Sequence, residues 1–316
     1  MSLFYGIDGN LFERQYKTHL SGFEDWKLKD HAEKYMIFPE NMGEYLSIDE
    51  TSLSNGEIYT IVTNKAAKGR KHCLVAMIKG TVSDFVSDHI NRISMSKRKL
   101  VKEITADLSE SMKKIVLKSF PCAILTIDRF HVQKIALECL QQMRVDYRWQ
   151  VIENENQTIK ILKEKGETYT PTILNNGDSL KQLLARSRYL LFKSRDKWTP
   201  SQQLRARTLF FLYPDLEKAY SLVHKLRMIY SHAKEENVLK CLSDWFDDVE
   251  KSGFKYFNAF LQTLKNRYPD IINYFKFKNT NAGAESFNAK IKKFRAKLNG
   301  VNDRTFFLFR IAKIWA

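Results

Sequence analysis

Asp49, Asp107 and Asp128 are the residues best placed by type and spacing to do chemistry. Each sits at or just past the end of an apolar run that reads as a strand: Leu46-Ser47-Ile48, Val101 to Ala106, and Ala123 to Ile127. A carboxylate there reaches the edge of a sheet without being buried among apolar neighbours. Two or three converging carboxylates suffice for a hard divalent cation such as Mg²⁺, which takes oxygen ligands and keeps several waters. Two such ions can activate a water or a 3′-hydroxyl and stabilise the leaving oxygen of a phosphodiester displacement. Taken singly, an aspartate after a strand is most often a turn former or a helix N-cap, so these three decide nothing alone.

A second feature lies near the C-terminus. From Ile271 to Ala316 there are ten basic and two acidic residues, so +8 of the chain's +16 net charge falls in 46 of its 316 residues. The spacing predicts a helix from Ala284 to Leu298, with Phe287, Ile291, Phe294 and Leu298 on one face. Glu285, Asn288, Lys292 and Arg295 share another face. Lys290, Lys292, Lys293, Arg295 and Lys297 are candidates for neutralising DNA phosphates. Glu285, a lone acid among cations, reads equally as a salt-bridged surface residue or as a third site carboxylate.

The elements that must position these groups follow from the changing period of the pattern. Residues 1–44 read as a helical lead-in. Three antiparallel strands follow, with turns at Ser54-Asn55-Gly56 and Lys68-Gly69-Arg70 and a third strand from Cys73 to Ile78. Thr81 reads as the N-cap of a helix carrying Val82, Phe85, Val86, Ile90 and Ile93. The strand before Asp107, a helix from Ser109 to Phe120 and the strand before Asp128 make a βαβ unit with parallel strands. From Val132 to Phe275 the texture is helical, with β signals only at Trp149-Gln150-Val151-Ile152 and Thr158-Ile159-Lys160-Ile161.

Composition narrows the class. Hydrophobic residues make up 44% and charged residues 28%, which suits a packed core, and the basic excess favours a polyanionic partner. No stretch approaches the roughly 20 apolar residues that span a bilayer. Cys73, Cys122, Cys139 and Cys241 lie far apart, which excludes a zinc ribbon or a disulfide-stapled scaffold from these residues and suits an intracellular chain.

Four blocks in order resemble a known family. Leu125-Thr126-Ile127-Asp128-Arg129-Phe130-His131-Val132 resembles the Asp-Arg-Phe-His signature of bacterial insertion-sequence transposases of the ISL-three group. Thr280 to Lys292 resembles the block carrying that group's catalytic Glu, here Glu285; Ser47-Ile48-Asp49-Glu50 resembles its first-Asp block; and Thr105-Ala106-Asp107 fits between. The resemblance covers Tyr45 to the C-terminus. It implies a ribonuclease H-like fold: a five-stranded mixed sheet with helices, interrupted by a large mostly α-helical insertion. The corresponding boundaries are 45–131 and 276–316 for the core and 132–275 for the insertion. It also implies a DDE recombinase that cuts element ends and joins the freed 3′-hydroxyl to target DNA, using Mg²⁺ or Mn²⁺ as two ions. The partners would be double-stranded DNA and further copies of the chain, a homodimer or higher oligomer, in the bacterial cytoplasm at the nucleoid. Relatives carry an N-terminal zinc-binding and helix-turn-helix region for recognising element ends. No matching Cys/His framework occurs here, so that task is not assigned to these residues. A structure-specific nuclease on the same fold and a non-catalytic DNA-binding remnant remain alternatives.

Two aspartates compete for the second metal position. In the implied topology the fourth strand lies beside the first and the fifth one further out, about 10 Å from the first. Asp49, Asp107 and Glu285 are therefore expected to hold the metal, with Asp128, His131 and Asn288 in support. Elsewhere, Gly177-Asp178-Ser179-Leu180 reads as a helix N-cap, not a nucleophile motif. Lys97-Arg98-Lys99 reads as a solvated turn, and Trp149, Trp198 and Trp245 as core or interface residues. If the basic helix holds phosphates, replacing Lys292 and Arg295 with Gln should weaken DNA binding across sequences. The log–log salt slope should flatten by about 0.9 per lost contact, as measured by fluorescence anisotropy at several salt concentrations.

Overall fold

The computed structural model describes residues 6, 8–54, 56–298, 301 and 303–316; Asn55 of the expected hairpin turn lies outside them. The chain divides into two compact units, Met1–Asp128 with Lys278–Ala316, and Arg129–Phe277.

The first unit is built on a mixed sheet of six strands in the order β1-β4-β3-β2-β5-β6. These are β1 (Tyr35–Ile37), β2 (Tyr45–Ser54), β3 (Glu57–Asn64), β4 (Leu74–Lys79), β5 (Glu103–Ala106) and β6 (Ile124–Ile127). The meander β2-β3-β4 is antiparallel, and β2, β5 and β6 run parallel. Ser54 pairs with Glu57 across the first hairpin, where Gly56 takes the positive φ of +79° that the tight turn needs. Helices Ser83–Ile90 and Glu110–Ser119 pack against β4 and β5. Ser109 caps the second of these by accepting from the Met112 amide.

Several expectations are corrected here. The sheet has six strands, not five, and the segment before Tyr45 is not simply helical. β1 pairs with β4 through Met36, which is fully buried beside Met77 and Tyr59. Three residues between a charged stretch and Phe38-Pro39 are too few to display a strand's alternation. Asp49 is not at a strand end: β2 runs five residues beyond it, because the antiparallel partner β3 continues where the parallel partner β5 stops. Thr81 caps nothing through its side chain; Val82 occupies the N-cap, and the Thr81 carbonyl accepts from Ser111 Oγ at 2.5 Å. Lys97-Arg98-Lys99 is no solvated turn. Met95–Arg98 is a helical turn, and buried Arg98 donates to the carbonyls of Ile93 (3.0 Å) and Ser119 (2.6 Å).

After the second unit the chain returns in helix Ala282–Ala296, and a further helix, Arg304–Trp315, ends it. The Asp303 side chain caps that last helix at the Phe306 amide (2.8 Å). Phe287 and Ile291 join Phe307, Leu308, Ile311 and Trp315 in one apolar cluster over Tyr59, Ile61 and Met77 of the sheet.

The second unit is helical. Its longest element, Arg129–Glu164, contains both Trp149-Gln150-Val151-Ile152 and Thr158-Ile159-Lys160-Ile161, which are helical and not strands. Their β-branched residues have no partner strand, and Ile159 and Ile161 are exposed. A helix already anchored by buried Val132, Ala136 and Leu140 propagates through them at little cost. Helices Pro214–His232 and Lys255–Asn266 pack on it, around a core that includes Leu226, Trp245 and Phe257. Trp245 is buried with its Nε1 donating to the Leu222 carbonyl (2.8 Å), and half-buried Trp198 donates to the Leu190 carbonyl (3.0 Å). Trp149 is the exception. It is 65% exposed on the long helix and belongs to no core.

Ser179 caps helix Leu180–Arg186 with a reciprocal bond from Gln182, as the sequence led us to expect. Its neighbour Asp178 is 1% exposed and accepts from Arg205 Nε (2.8 Å) and from Arg186 Nη1. Burial alone would raise the Asp178 carboxyl, but the hydrogen bonds from Arg205 and Arg186 outweigh it and hold the group below the usual aspartate range. Asp178→Ala should therefore cost about 3 kcal/mol in denaturant unfolding at neutral pH, because it strands largely buried Arg205. The sign with pH is fixed: a depressed carboxylate stabilises above its unfolded pKa of about 3.9. The gap between variant and parent should close as pH falls through the lower, folded value.

Candidate active site on an aspartate row

The three parallel strands share one pattern. Each reads apolar, Ser or Thr, apolar, Asp: Leu46-Ser47-Ile48-Asp49, Ile104-Thr105-Ala106-Asp107 and Leu125-Thr126-Ile127-Asp128. The register matches them residue for residue, with Leu46 beside Ile104, Ser47 beside Thr105, Ile104 beside Leu125 and Thr105 beside Thr126. Carried on by two residues from Ser47 and Thr105, the same register sets Asp49, Asp107 and Asp128 in one row. Side chains alternate along a strand, so the Ser/Thr and Asp rows share a face and the apolar rows share the other. Leu46, Ile48, Ile104, Ala106 and Ile127 are buried on that second face.

The Asp-bearing face is covered by the segment Asn279–Asn288. Asn281 bridges two strands: its backbone N–H donates to Asp128 Oδ1 (3.2 Å) and its Nδ2 to the Ile48 carbonyl (3.2 Å). Asn288 Nδ2 donates to Asp49 Oδ2 (2.7 Å) and more distantly to the Glu50 carbonyl (3.5 Å). Glu285 lies one helical turn from each asparagine on that side of the helix and is exposed. Phe287 and Ile291, on the adjoining side, bury into the apolar half of the sheet. One helix thus reads both halves of the face.

Asp128 is fully buried, whereas Asp49 and Asp107 are half-buried. Glu50 sits beside them. Burial first, then the negative charges of Asp107 and Asp49, push its carboxyl above the usual range. The two aspartates are therefore close enough to act on a third carboxylate. Among the described residues, no group of three or more His, Cys, Asp or Glu stands close enough together to hold a metal ion. The donors are nevertheless hard oxygens of the kind Mg²⁺ takes. Buried oxygens of Ser47, Thr51, Thr126, Asn281 and Asn288 on the same face also lack a hydrogen-bond partner. Concentrated negative charge with spare oxygen lone pairs fits a divalent cation.

Two rows below lies a charged pair that the sequence reading missed. Glu103 is fully buried, accepts from Asn279 Nδ2, and stands 3.8 Å from Lys65 Nζ, which also reaches Thr105 Oγ1. Burial pulls the Lys65 ammonium down to about 8 against the opposing attraction of Glu103 and Asp128. A Glu at an inward strand position was the available signal for this pair.

His131 lies in the first turn of helix Arg129–Glu164, in the helical unit. Lys292, Lys293 and Lys297 are exposed, and Lys290 donates to the Gly69 carbonyl (2.9 Å). Arg295 is half-buried and borders a cleft with Glu57 and Tyr59.

A ribonuclease H-like sheet, interrupted after β6 by a helical unit and completed by a helix over its aspartate row, defines the class of protein. The chain belongs to the ISL3 family of DDE transposases: the family model, described as transposase, matches residues 46–311. It is 22% identical over 270 residues to the transposase for insertion sequence element IS1001 of Bordetella parapertussis, covering 85% of this chain. The chain spans 60% of the length of that relative. The structure of the Drosophila P element transposase strand transfer complex aligns with a TM-score of 0.40 at 11% identity, over 98% of this chain and 88% of that one.

Asn281 should prove structural as well as local to the site. Asn281→Ala removes the only side-chain bond described to the buried Ile48 carbonyl. It should lower stability by about 1–3 kcal/mol in denaturant titration.

Proposed function

We propose that this chain is the catalytic part of an insertion-sequence transposase, which hydrolyses DNA at element ends and joins the freed 3′-hydroxyl to target DNA. The observation that carries the reading is the aspartate row, with Glu285 on the helix that covers it. Family membership and the relationship to the IS1001 transposase supply the substrate class, and the basic C-terminal stretch suits a polyanion.

In this reading Asp49, Asp107 and Glu285 would hold Mg²⁺ or Mn²⁺, two ions in all. Bound there, the metal would supply a more acidic water or 3′-hydroxyl and charge stabilisation for the leaving oxygen. The chain's own residues do the positioning. Asn288 fixes the Asp49 carboxylate, and Asn281 ties Asp128 to β2 across the intervening β5, so that the row is set before substrate arrives. Asp128 and its neighbour Arg129 then serve local order. In the helical unit Arg129 donates to Tyr274 Oη (3.1 Å) and lies over the Phe130 ring. DNA phosphates would be met by exposed lysines of the C-terminal helix, and the chain would act as a dimer or larger assembly on DNA.

The test is strand cleavage on oligonucleotides carrying the element's own ends, with Mg²⁺ or Mn²⁺. Asp107→Asn should abolish metal-dependent cleavage while leaving fold and DNA binding intact. Asp128→Asn should cost less activity and more thermal stability. Metal-dependent cleavage that survives in Asp107→Asn would contradict the assignment, and binding without cleavage by the parent chain would favour a non-catalytic DNA-binding protein.

A further inference from the structure

The helical unit contains a cavity of 620 Å³ whose charge is not accounted for by the fold. Arg144, Arg188 and Arg227 line it, with Phe130 and Phe192 as apolar walls and Lys134 at its border. Four other arginines of this unit are paired: Arg186 and Arg205 with Asp178, Arg195 with Glu217, and Arg267 with Asp270. The three around the cavity are not. Among the described residues, none of them has a carboxylate within ion-pair distance.

Their partners are neutral. Arg144, only 6% exposed, donates to Gln141 Oε1 (2.7 Å) and to the Leu184 carbonyl (2.8 Å). Arg227 Nη1 donates to the Phe192 carbonyl at 2.9 Å, and Gln141 Nε2 to the Arg188 carbonyl at 3.2 Å. The bonds of Arg144 and Arg227 use up part of each guanidinium fork and hold the rest in place, while Gln141 holds the backbone at Arg188. Buried Arg144 is a cation without an anion, which is costly, and with half-buried Arg227 and exposed Arg188 around the same open space it makes an anion site.

Two neighbouring groups report the same positive field. Burial, then Arg148 and Arg188, disfavour the charged form of Arg144. Burial, then Arg227 and Arg195, hold the His224 imidazole down to about 4. The single carboxylate on the cavity wall, Glu138, is 4.0 Å from Lys134 and does not neutralise the arginines.

We propose that this cavity is a phosphate-binding site, and that its occupant is the phosphodiester backbone of a DNA strand held by Arg144, Arg188 and Arg227. Planar guanidinium forks match phosphate oxygens in pairs, and the two phenylalanines leave an apolar wall for the sugar or base beside a bound phosphate. The choice of DNA rests on the transposase reading; the phosphate chemistry rests on the cavity alone.

The test uses the full chain and duplex and single-stranded oligonucleotides in fluorescence anisotropy across a salt series. Arg188 is exposed, so Arg188→Gln removes charge without emptying the core, and Arg227→Gln is the second variant. Each should lower the log–log salt slope by about 0.9 on duplex or about 0.7 on single strands. Arg188→Lys should restore most of the slope, and Lys251→Gln, which does not line the cavity, should leave it unchanged. A deoxynucleoside monophosphate, titrated calorimetrically, forms the second arm. Saturable binding of it that Arg188→Gln abolishes, with the DNA slope unchanged, keeps the phosphate site but makes a free nucleotide its occupant. An unchanged slope with no nucleotide binding overturns the proposal. Its failure is distinct from failure of the transposase reading, which would appear as DNA bound with the expected slope changes but never cut.

Discussion

The parallel register of β2, β5 and β6 is the constraint on which the rest depends. Three strands, each alternating apolar residues with a hydroxyl and then an acid, yield an aspartate row only if they lie in step. A slip of one residue in any of them would turn its Ser/Thr and Asp towards the apolar face and its Ile or Leu towards the polar one. The register is thus enforced from both sides of the sheet. Leu46, Ile48, Ile104 and Ile127 are buried on one face, and Asn281 and Asn288 grip Asp128, the Ile48 carbonyl and Asp49 on the other.

That face is divided along its width. Over β3 and β4 it is apolar, and Phe287, Ile291 and the last helix cover it; over β2, β5 and β6 it is polar, and the asparagines cover it. Helix Ala282–Ala296 cannot shift without breaking one set of contacts or the other, so Glu285 inherits its place from residues that do no chemistry. The buried Glu103–Lys65 pair beneath the row adds a charged anchor whose geometry depends on β5 staying paired. Removing one partner would leave the other buried and uncompensated, a larger loss than the pair's own net worth.

Much of this was legible in the sequence because it is written at short range. The change from period two to helical spacing located the meander and the βαβ unit with its parallel strands, while the place of the fourth strand beside the first came from the family resemblance. The Gly177-Asp178-Ser179-Leu180 cap was read from local chemistry. What was missed depends on distant partners. β1 is a strand only because Met77 and Tyr59 receive Met36. Trp149-Gln150-Val151-Ile152 is helical because no strand lies beside it. Arg98 is buried because two carbonyls, one of them from Ser119, converge on it. At the site, the aspartates were visible one by one, but the in-step alignment was not, since register joins residues far apart in the chain. The burial of Asp128 against the partial exposure of Asp49 and Asp107 also needed the covering segment, which arrives about 150 residues later.

In the proposed function Asp49 and Asp107, not Asp128, would hold the metal together with Glu285. Anomalous diffraction from a crystal soaked in Mn²⁺ measures this directly. Density is expected between the Asp49 and Asp107 carboxylates, with Glu285 drawn in from its helix and Asp128 still bonded to the Asn281 amide. Density on Asp128, with Asp107 facing only solvent, would contradict it.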